Sequence, residues 1–549
     1  MKSNIEIWNV EDAKFWKETG SKIATRNLWI SIPSLLLAFS IWIMWSIIIV
    51  GMEKLGFTFG MLSQEFEAII RNTSISRADY PLELTELLKS INSMYYTLPA
   101  IAGLAGATLR IPNSFLIAIG GGRNVIFTTT TLLLIPAIGV GVALQDPGTS
   151  FMTFAILAAL SGFGGGNFAS SMSNISYFFP KRVQGTSLGL NAGLGNLGVS
   201  VMQFLLPVTM GLAVFGALGG DGLPLLEDFK GKPAGADYFL QNAGWTLVPL
   251  LAIIVVAAFF GMNNLKSATP KIGSALVGIG KTLFLVLLGL LATAVGVYML
   301  VALKINMWIV LPVVVLLTVL LMKYLSPGEI KSNLKHQFSI FNNKHNWIMT
   351  IIYTMTFGSF IGFSAAFPKL ISDVFGSLPD GSINPNAPSP YTWAFLGPMV
   401  GALIRPVGGW VSDKINSGSR VTQWATIAQI AAALGVALFV IKAREAAAPE
   451  MYWWPFFGLF MILFITTGIG NGSTFRSIPY IFSKELAGPV LGWTSAIAAY
   501  GAFIIPKVFG QQIKIGHPEY ALYGFAVYYM VCLILNWWFY ERKNSGIEC

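Results

Sequence analysis

Three arginines lie inside long apolar stretches of the sequence, where charged side chains are rare: Arg110, Arg405 and Arg476. An arginine at the depth of a lipid bilayer costs at least about 2.5 kcal/mol, so its side chain should face a cavity or a partner. The stretches that contain these arginines, and their neighbours, hold almost no Asp or Glu. A buried arginine–carboxylate pair is the alternative, and it stays open above all for Arg476, which has no counterpart elsewhere in the chain.

The guanidinium group indicates which ligand would balance these charges. It is planar and permanently charged, and it donates two parallel hydrogen bonds to an oxyanion. A neutral ligand such as a sugar would leave both Arg110 and Arg405 unpaired. The sequence therefore predicts a site for a small anion. It contains no metal-ligand cluster, nucleophile–base pair or phosphate-binding loop, so we expect neither an enzyme nor a cofactor, and no catalytic or metal-binding residue.

The composition places these arginines in a membrane. The chain has 549 residues, of which 54% are hydrophobic and 11% charged, and its mean hydropathy is +0.65. A soluble domain carries about 25% charged residues. The net charge of +10 is spread over short loops, which indicates membrane orientation and no nucleic-acid partner. We expect a multi-pass protein of the cytoplasmic (inner) membrane, surrounded by lipid.

Fourteen apolar stretches are long enough to cross a bilayer core of about 30 Å as helices. Beginning inside, their alternation leaves both termini in the cytoplasm and concentrates Lys and Arg in the cytoplasmic loops. The stretches lie approximately at 29–50, 94–119, 125–144, 151–179, 187–214, 243–262, 275–301, 305–322, 347–371, 392–411, 421–441, 453–481, 489–510 and 520–540.

An internal repeat relates the two ends of the chain. Three motifs recur in the same order about 300 residues later, which is typical of a transporter built from two related halves. The substrate site of such a protein lies near the bilayer midplane between the halves. The repeated pairs are Gly106–Arg110 with Gly401–Arg405, Gly164–Asn167 with Gly468–Asn471, and Leu188-Gly189 with Leu491-Gly492.

Four further motifs carry a close resemblance to a known family. They are Arg26–Ser31, Gly166–Ser176, Gly189–Gly198 and Phe357–Ser364. With these motifs, the chain resembles the nitrate/nitrite porter family of the major facilitator superfamily over nearly its whole length, apart from residues 61–93 and 266–344. The resemblance implies an all-α polytopic membrane protein with the major facilitator fold.

The chain should therefore contain two six-helix halves, at 1–265 and 347–549, and about fourteen helices in total. Residues 266–346 hold two additional transmembrane helices and a cytoplasmic linker, which we interpret as a peripheral insertion. The family's usual form has twelve helices, so this pair is a departure from it. An even number of inserted crossings leaves the second half correctly oriented.

The resemblance also implies roles for individual residues. Arg110 and Arg405 would clamp the anion, one from each half. A flat trigonal anion would lie between aromatic ring faces, although each aromatic residue alone would favour ordinary core packing. The predicted substrate-binding residues are Arg110, Arg405, Phe168, Asn196, Tyr353 and Phe357. Further cavity residues would be Arg476, Asn167 and Asn471; some members have a neutral amide in place of Arg476, so the cavity here would be more positive.

A second set of residues is predicted to govern conformational change. Gly189, Gly193 and Gly198 offer smooth helix faces that can slide, although close static packing explains such glycines equally well. The run from Gly409 to Lys414 resembles the G-x-x-x-D-R/K loop of the superfamily. There Asp413 would bond to neighbouring cytoplasmic helix ends and favour the outward-facing state.

Together these features predict a monomeric secondary transporter that exchanges nitrate and nitrite by alternating access. Proton-coupled nitrate symport is an alternative, although the apolar stretches offer no clear carboxylate as proton carrier. An organic-phosphate/phosphate exchanger also uses paired arginines, but it usually needs further Lys or His, and the three histidines lie in loops. A membrane anion sensor is the alternative outside transport.

Overall fold

Helices account for all fourteen predicted apolar stretches. The computed structural model describes residues 4–72, 80–226, 229, 231–376, 378, 384–542, 545, 547 and 549. We number the helical segments as spans 1 to 14 in chain order. They are Ala13–Lys54, Leu82–Asn113, Gly122–Ala143, Phe151–Phe178, Lys181–Met210, Asn242–Gly261, Ala275–Val301, Met307–Leu325, Lys344–Pro368, 390–414, Gly418–Glu445, Pro449–Ile481, Lys484–Ile513 and Glu519–Glu541.

Twelve of these spans, counted over the described residues, are long and apolar enough to cross a membrane. The other two are spans 2 and 10, which carry Arg110 and Arg405 together with several Gly and Pro residues. These two spans are less apolar because their buried faces hold polar groups. The predicted all-helical membrane fold with about fourteen helices is confirmed.

Spans 5 and 13 hold the two halves together in mirrored fashion. Span 5 of the first half packs against spans 10 and 12 of the second, and span 13 of the second half packs against spans 2 and 4 of the first. Each half therefore contributes one helix that crosses the arginine-bearing helix of the other. This arrangement follows the internal repeat, in which spans 5 and 13 carry related Leu-Gly motifs.

Three spans depart from a regular α-helix at predicted site residues. Span 5 is interrupted between Asn196 and Gly198, and span 10 between Leu403 and Arg405. Span 9 contains a π-helix at Thr354–Gly358, which includes the predicted substrate-binding residue Phe357. Wide π turns occur mostly at functional sites, because they displace side chains from ordinary helical register.

The inserted spans 7 and 8 pack against spans 2 and 3 of the first half. The approach is close: a Cβ atom added to Gly289 would lie 2.9 Å from Pro112 Cγ. The helix Gly328–Gln337 follows span 8 and is tied to the first half by Gln337 Nε2, which donates to the Phe115 carbonyl at 3.1 Å. A 2.9 Å hydrogen bond from Lys281 lowers the pKa of the exposed Glu329 carboxyl.

Two short sheets complete the described structure. Asn4–Ile5 pairs in parallel with Asn264–Leu265, which ties the N-terminal segment to the residues that follow span 6. Leu223–Pro224 pairs antiparallel with Asp237–Tyr238 in the connection between spans 5 and 6. Both sheets lie outside the spans and brace the first half.

Candidate functional site

Arg110 lies on span 2 and is completely buried, with 0% of its surface exposed. Its Nε atom donates to the Gly165 carbonyl at 2.6 Å, and its Nη1 atom donates to the Ser495 carbonyl at 3.2 Å. Ser495 belongs to span 13, so this second bond joins the two halves. The Nη2 atom has no hydrogen-bond partner among the described residues.

Arg405 is the first residue of the helix that follows the interruption in span 10, and it too is 0% exposed. None of its three guanidinium nitrogens has a hydrogen-bond partner among the described residues. Its Cζ atom lies 4.0 Å from the centroid of the Phe360 ring. A buried charge without a partner costs several kcal/mol, so this guanidinium is a candidate contact for an anion.

Three predicted aromatic residues gather around the arginines. The Phe357 ring lies 4.8 Å from Arg110 Cζ and 5.5 Å from Arg405 Cζ, so one ring contacts both guanidinium groups. The Phe168 ring lies 4.8 Å from Arg110 Cζ. The ring of Tyr353 stacks on that of Phe357 with centroids 5.7 Å apart. Residues from both halves therefore meet at one buried cluster.

The predicted position of the anion between ring faces is not available in this conformation. The rings of Phe168 and Phe357 stack directly on each other, with centroids 5.1 Å apart and planes 16° apart. An intercalated anion would need about twice the ~3.5 Å contact distance between the two faces. An anion can instead meet the unpaired edges of the guanidinium groups, or the rings must separate before it enters.

Several buried polar atoms around these spans also lack partners among the described residues. Both amide atoms of Asn167 and the Tyr353 hydroxyl have none, and the side-chain carbonyls of Asn196 and Asn471 have none. The amide nitrogens of Asn196 and Asn471 donate to carbonyls one helical turn earlier. Because buried polar groups are nearly always hydrogen-bonded, these atoms are candidate contacts for a polar ligand.

Arg476 lies in a different environment from the other two arginines. Its Nε atom is 4.0 Å from Asp413 Oδ1, and its Nη2 atom donates to Asn416 Oδ1. Its Cζ atom lies 3.8 Å from the centroid of the Tyr480 ring. Arg476 thus lies beside a carboxylate, the alternative that the sequence left open. Its Nε and Nη1 atoms have no hydrogen-bond partner among the described residues.

Sequence reasoning missed four aromatic residues of the site, which are Phe39, Trp42, Phe360 and Phe475. The Trp42 ring lies 4.9 Å from Arg110 Cζ, and Phe475 lies 5.1 Å from Tyr353, ring centroid to centroid. Phe360 could have been found, because it follows Phe357 by three residues and so shares its helix face. Trp42 gives no local signal, since it lies in an ordinary apolar stretch.

The predicted conformational glycines fall into two groups. A Cβ atom on Gly189 would lie 3.1 Å from the backbone of span 10, and one on Gly193 would lie 2.6 Å from it. These two glycines therefore allow the halves to touch. A Cβ on Gly198 would lie 2.1 Å from the Leu36 carbonyl, so Gly198 allows span 5 to pack closely against span 1 within the first half.

Polar contacts join the halves on both sides of the arginines. Asp413 Oδ2 accepts hydrogen bonds from Thr186 N and Thr186 Oγ1, both at 2.8 Å, at the predicted cytoplasmic side. Toward the opposite end of span 2, the hydroxyls of Thr108 and Tyr500 lie 3.1 Å apart. Both arginines are fully buried near these contacts between the halves.

Comparison with known proteins places this site in a family. No family model matches the chain. The chain is 36% identical to a probable nitrate/nitrite antiporter, NarK2, of Thermus thermophilus, over 99% of this chain and 98% of the relative. It is 35% identical to the nitrate/nitrite transporter NarU of Salmonella typhimurium, over 98% of this chain and 96% of the relative.

A solved structure supports the fold independently. The chain superposes on the proton:xylose symporter XylE, a major facilitator protein, with a TM-score of 0.59, covering 96% of this chain and 98% of that chain at 12% identity. At that identity the likeness concerns the fold alone. The full-length relatives establish that the chain, which has the major facilitator fold, belongs to the nitrate/nitrite transporter family.

Proposed function

We propose that this chain moves nitrate and nitrite across the cytoplasmic membrane by exchange. The observation that carries the proposal is the buried guanidinium of Arg405, whose three nitrogens lack partners among the described residues, near the free Nη2 of Arg110. A small oxyanion supplies both the missing charge and the missing acceptors. The relatives named as nitrate/nitrite transporters and antiporters support this choice of anion.

Alternating access follows from the sharing of the site between the halves. Without an anion, two positive charges face one cluster of rings, and their repulsion in a water-poor interior opposes closure. A bound nitrate or nitrite reduces this repulsion and bridges the two guanidinium groups. The halves therefore close around the loaded site more readily than around the empty one, and this coupling favours exchange over uniport.

The two halves of the chain would move relative to each other during exchange. The two halves that move are residues 1–265 and 347–549. Residues 266–346 form an insertion that packs against spans 2 and 3 and moves with the first half. The protein acts as a monomer in the cytoplasmic membrane, with both termini in the cytoplasm. It acts on inorganic anions without a cofactor and is not an enzyme.

Counterflow in proteoliposomes tests the exchange directly. Vesicles loaded with nitrite should accumulate labelled nitrate, and vesicles without internal anion should take up little. Nitrite should compete for uptake, and glycerol phosphate should not; the reverse pattern would favour the organic-phosphate exchanger. Nitrate binding without flux would identify a sensor. Uptake that follows a pH gradient and ignores internal nitrite would contradict the exchange proposal.

Tyr353→Phe separates anion binding from proton coupling. The buried Tyr353 hydroxyl lacks a hydrogen-bond partner among the described residues, so we expect it to donate to the anion. A hydrogen bond to a charged group contributes about 1.5 kcal/mol, so loss of the hydroxyl should raise the KM for nitrate about tenfold with little change in turnover. Initial counterflow rates over a range of nitrate concentrations measure this.

The control is Tyr95→Phe, which removes another buried hydroxyl, one that donates to the Phe57 carbonyl outside the site. It should leave the KM unchanged. If Tyr353→Phe instead abolishes a wild-type response to a pH gradient and preserves the KM, the hydroxyl carries protons and symport replaces exchange.

A further inference from the structure

We propose that Arg476 is a positioning residue of the cytoplasmic gate, which holds Asp413 against the start of span 5, and not a ligand of the transported anion. The cytoplasmic gate is defined here by Thr186, Asp413, Asn416, Arg476 and Tyr480. The inference rests on the proposed alternating access, because a gate has meaning only in a protein that opens to both sides.

The first step is the contact between the halves. The two hydrogen bonds from Thr186 occupy one carboxylate oxygen of Asp413, Oδ2. The backbones are also close here, since a Cβ atom on Gly409 would lie 2.2 Å from the Gly185 carbonyl. The other carboxylate oxygen, Oδ1, is buried and has no hydrogen-bond partner among the described residues. A positive charge on that side would stabilise the carboxylate of Asp413.

Arg476 supplies this positive charge from span 12. Its side chain is 1% exposed, and its Nε atom is 4.0 Å from Asp413 Oδ1. A carboxylate in that position would repel an inorganic anion. The guanidinium is held there by the ring of Tyr480, which lies one helical turn further along span 12. Arg476 is therefore oriented toward a resident acid and not toward the transported anion.

The same guanidinium braces the loop that follows Asp413. Its Nη2 atom donates to Asn416 Oδ1. Asn416 has φ +54°, in the left-handed region that few residues other than glycine adopt readily. Arg476 thus contacts both the carboxylate and the turn that fixes its direction. With a neutral side chain in its place, Asp413 would lose its buried counter-charge and would be drawn toward solvent, away from Thr186.

The test measures how often the gate is closed. Cysteines that carry spin labels replace Lys22 and Lys344, two exposed residues near the predicted cytoplasmic ends of spans 1 and 9. The chain's own Cys532 and Cys549 are replaced by serine. Distance distributions are recorded for the full chain in nanodiscs. Arg476→Gln should lower the ratio of closed to open populations about tenfold, given a partly buried ion pair. Arg476→Lys keeps the charge and should restore most of the closed population.

Two comparisons show whether the effect acts through Asp413. Arg123→Gln removes a half-buried arginine at the start of span 3, which is also its predicted cytoplasmic end. This variant should leave the distances between the spin labels unchanged. In an Asp413→Asn background, Arg476→Gln should produce no further shift, because the two side chains act as one unit. The inference would be overturned if the shifts caused by Asp413→Asn and Arg476→Gln added in the double variant. It would also be overturned if Arg476→Gln left the spin-label distances unchanged.

Nitrate binding provides the remaining readout. Because Arg476 acts on the gate, nitrate affinity in Arg476→Gln should change no more than the closed population does. A large loss of affinity with normal distances would make Arg476 a ligand and refute the inference. If the wild-type chain fails to exchange nitrate while Arg476→Gln still shifts the distances, the gate inference stands and only the proposed cargo fails.

Discussion

Arg110→Lys and Arg405→Lys should each reduce nitrate counterflow at least about a hundredfold, because lysine keeps the charge but loses the planar fork of donors. For Arg110 the change also removes the bonds to Gly165 and Ser495, which orient the guanidinium. For Arg405 it removes nitrogens that have no partner among the described residues and are free to meet an anion. Counterflow rates per folded protein in matched proteoliposomes measure the loss.

Arg123→Lys is the matched control for this pair. Arg123 is half-buried at the start of span 3, where its guanidinium bonds to the neighbouring Asn124 side chain and packs against Phe259. It lies outside the aromatic cluster, so its replacement should leave counterflow near the wild-type rate. Near-normal rates in both Arg110→Lys and Arg405→Lys would mean that charge alone suffices and that bidentate recognition is wrong.

Gly193→Ala should lower exchange about tenfold to a hundredfold and leave the thermal stability of the protein nearly unchanged. The added Cβ would lie 2.6 Å from the Ala402 carbonyl of the other half, too close for any real contact. Overpacking of this kind costs about 1–3 kcal/mol, and here the cost falls only on conformations in which the halves touch. Counterflow and thermal unfolding, measured on the same preparation, separate the two effects.

Gly198→Ala and Gly103→Ala complete this comparison. The Cβ of Gly198→Ala would lie 2.1 Å from the Leu36 carbonyl inside the first half, so this variant should lower the Tm, whatever the state of the halves. A Cβ on Gly103 meets no atom within 4 Å, so Gly103→Ala should change neither quantity. A lower Tm in Gly193→Ala with normal exchange per folded protein would contradict a role for Gly193 between the halves.

The membrane fold and the central arginines were predictable because strong physical constraints act on them. Lipid requires long apolar helices, and a buried charge is too costly to place without a purpose. The repeat then paired Arg110 with Arg405, and both are fully buried beside one ring, that of Phe357. Each of these inferences needed only residue type and approximate depth.

Other features depend on geometry that residue type does not specify. Arg476 has the same chemistry as the central arginines, but its neighbours lie some sixty positions earlier, at the end of span 10 (Asp413) and in the turn that follows it (Asn416). The glycines of one motif divide between two roles because successive helix faces meet different spans. The π turn at Thr354–Gly358 has no sequence signal that we can name.

The hydrogen bond from Arg110 to Ser495 has a consequence for release of the cargo. It joins spans 2 and 13, so it exists only while the two halves are together. In the proposed exchange cycle, Nη1 would lose this acceptor when the halves part, would be free to bind the anion, and would regain the carbonyl on closure. In the closed form, the Ser495 carbonyl would thus compete with the ion for the Nη1 donor of Arg110. We expect this competition to weaken binding of the ion in the closed form and so to favour its release.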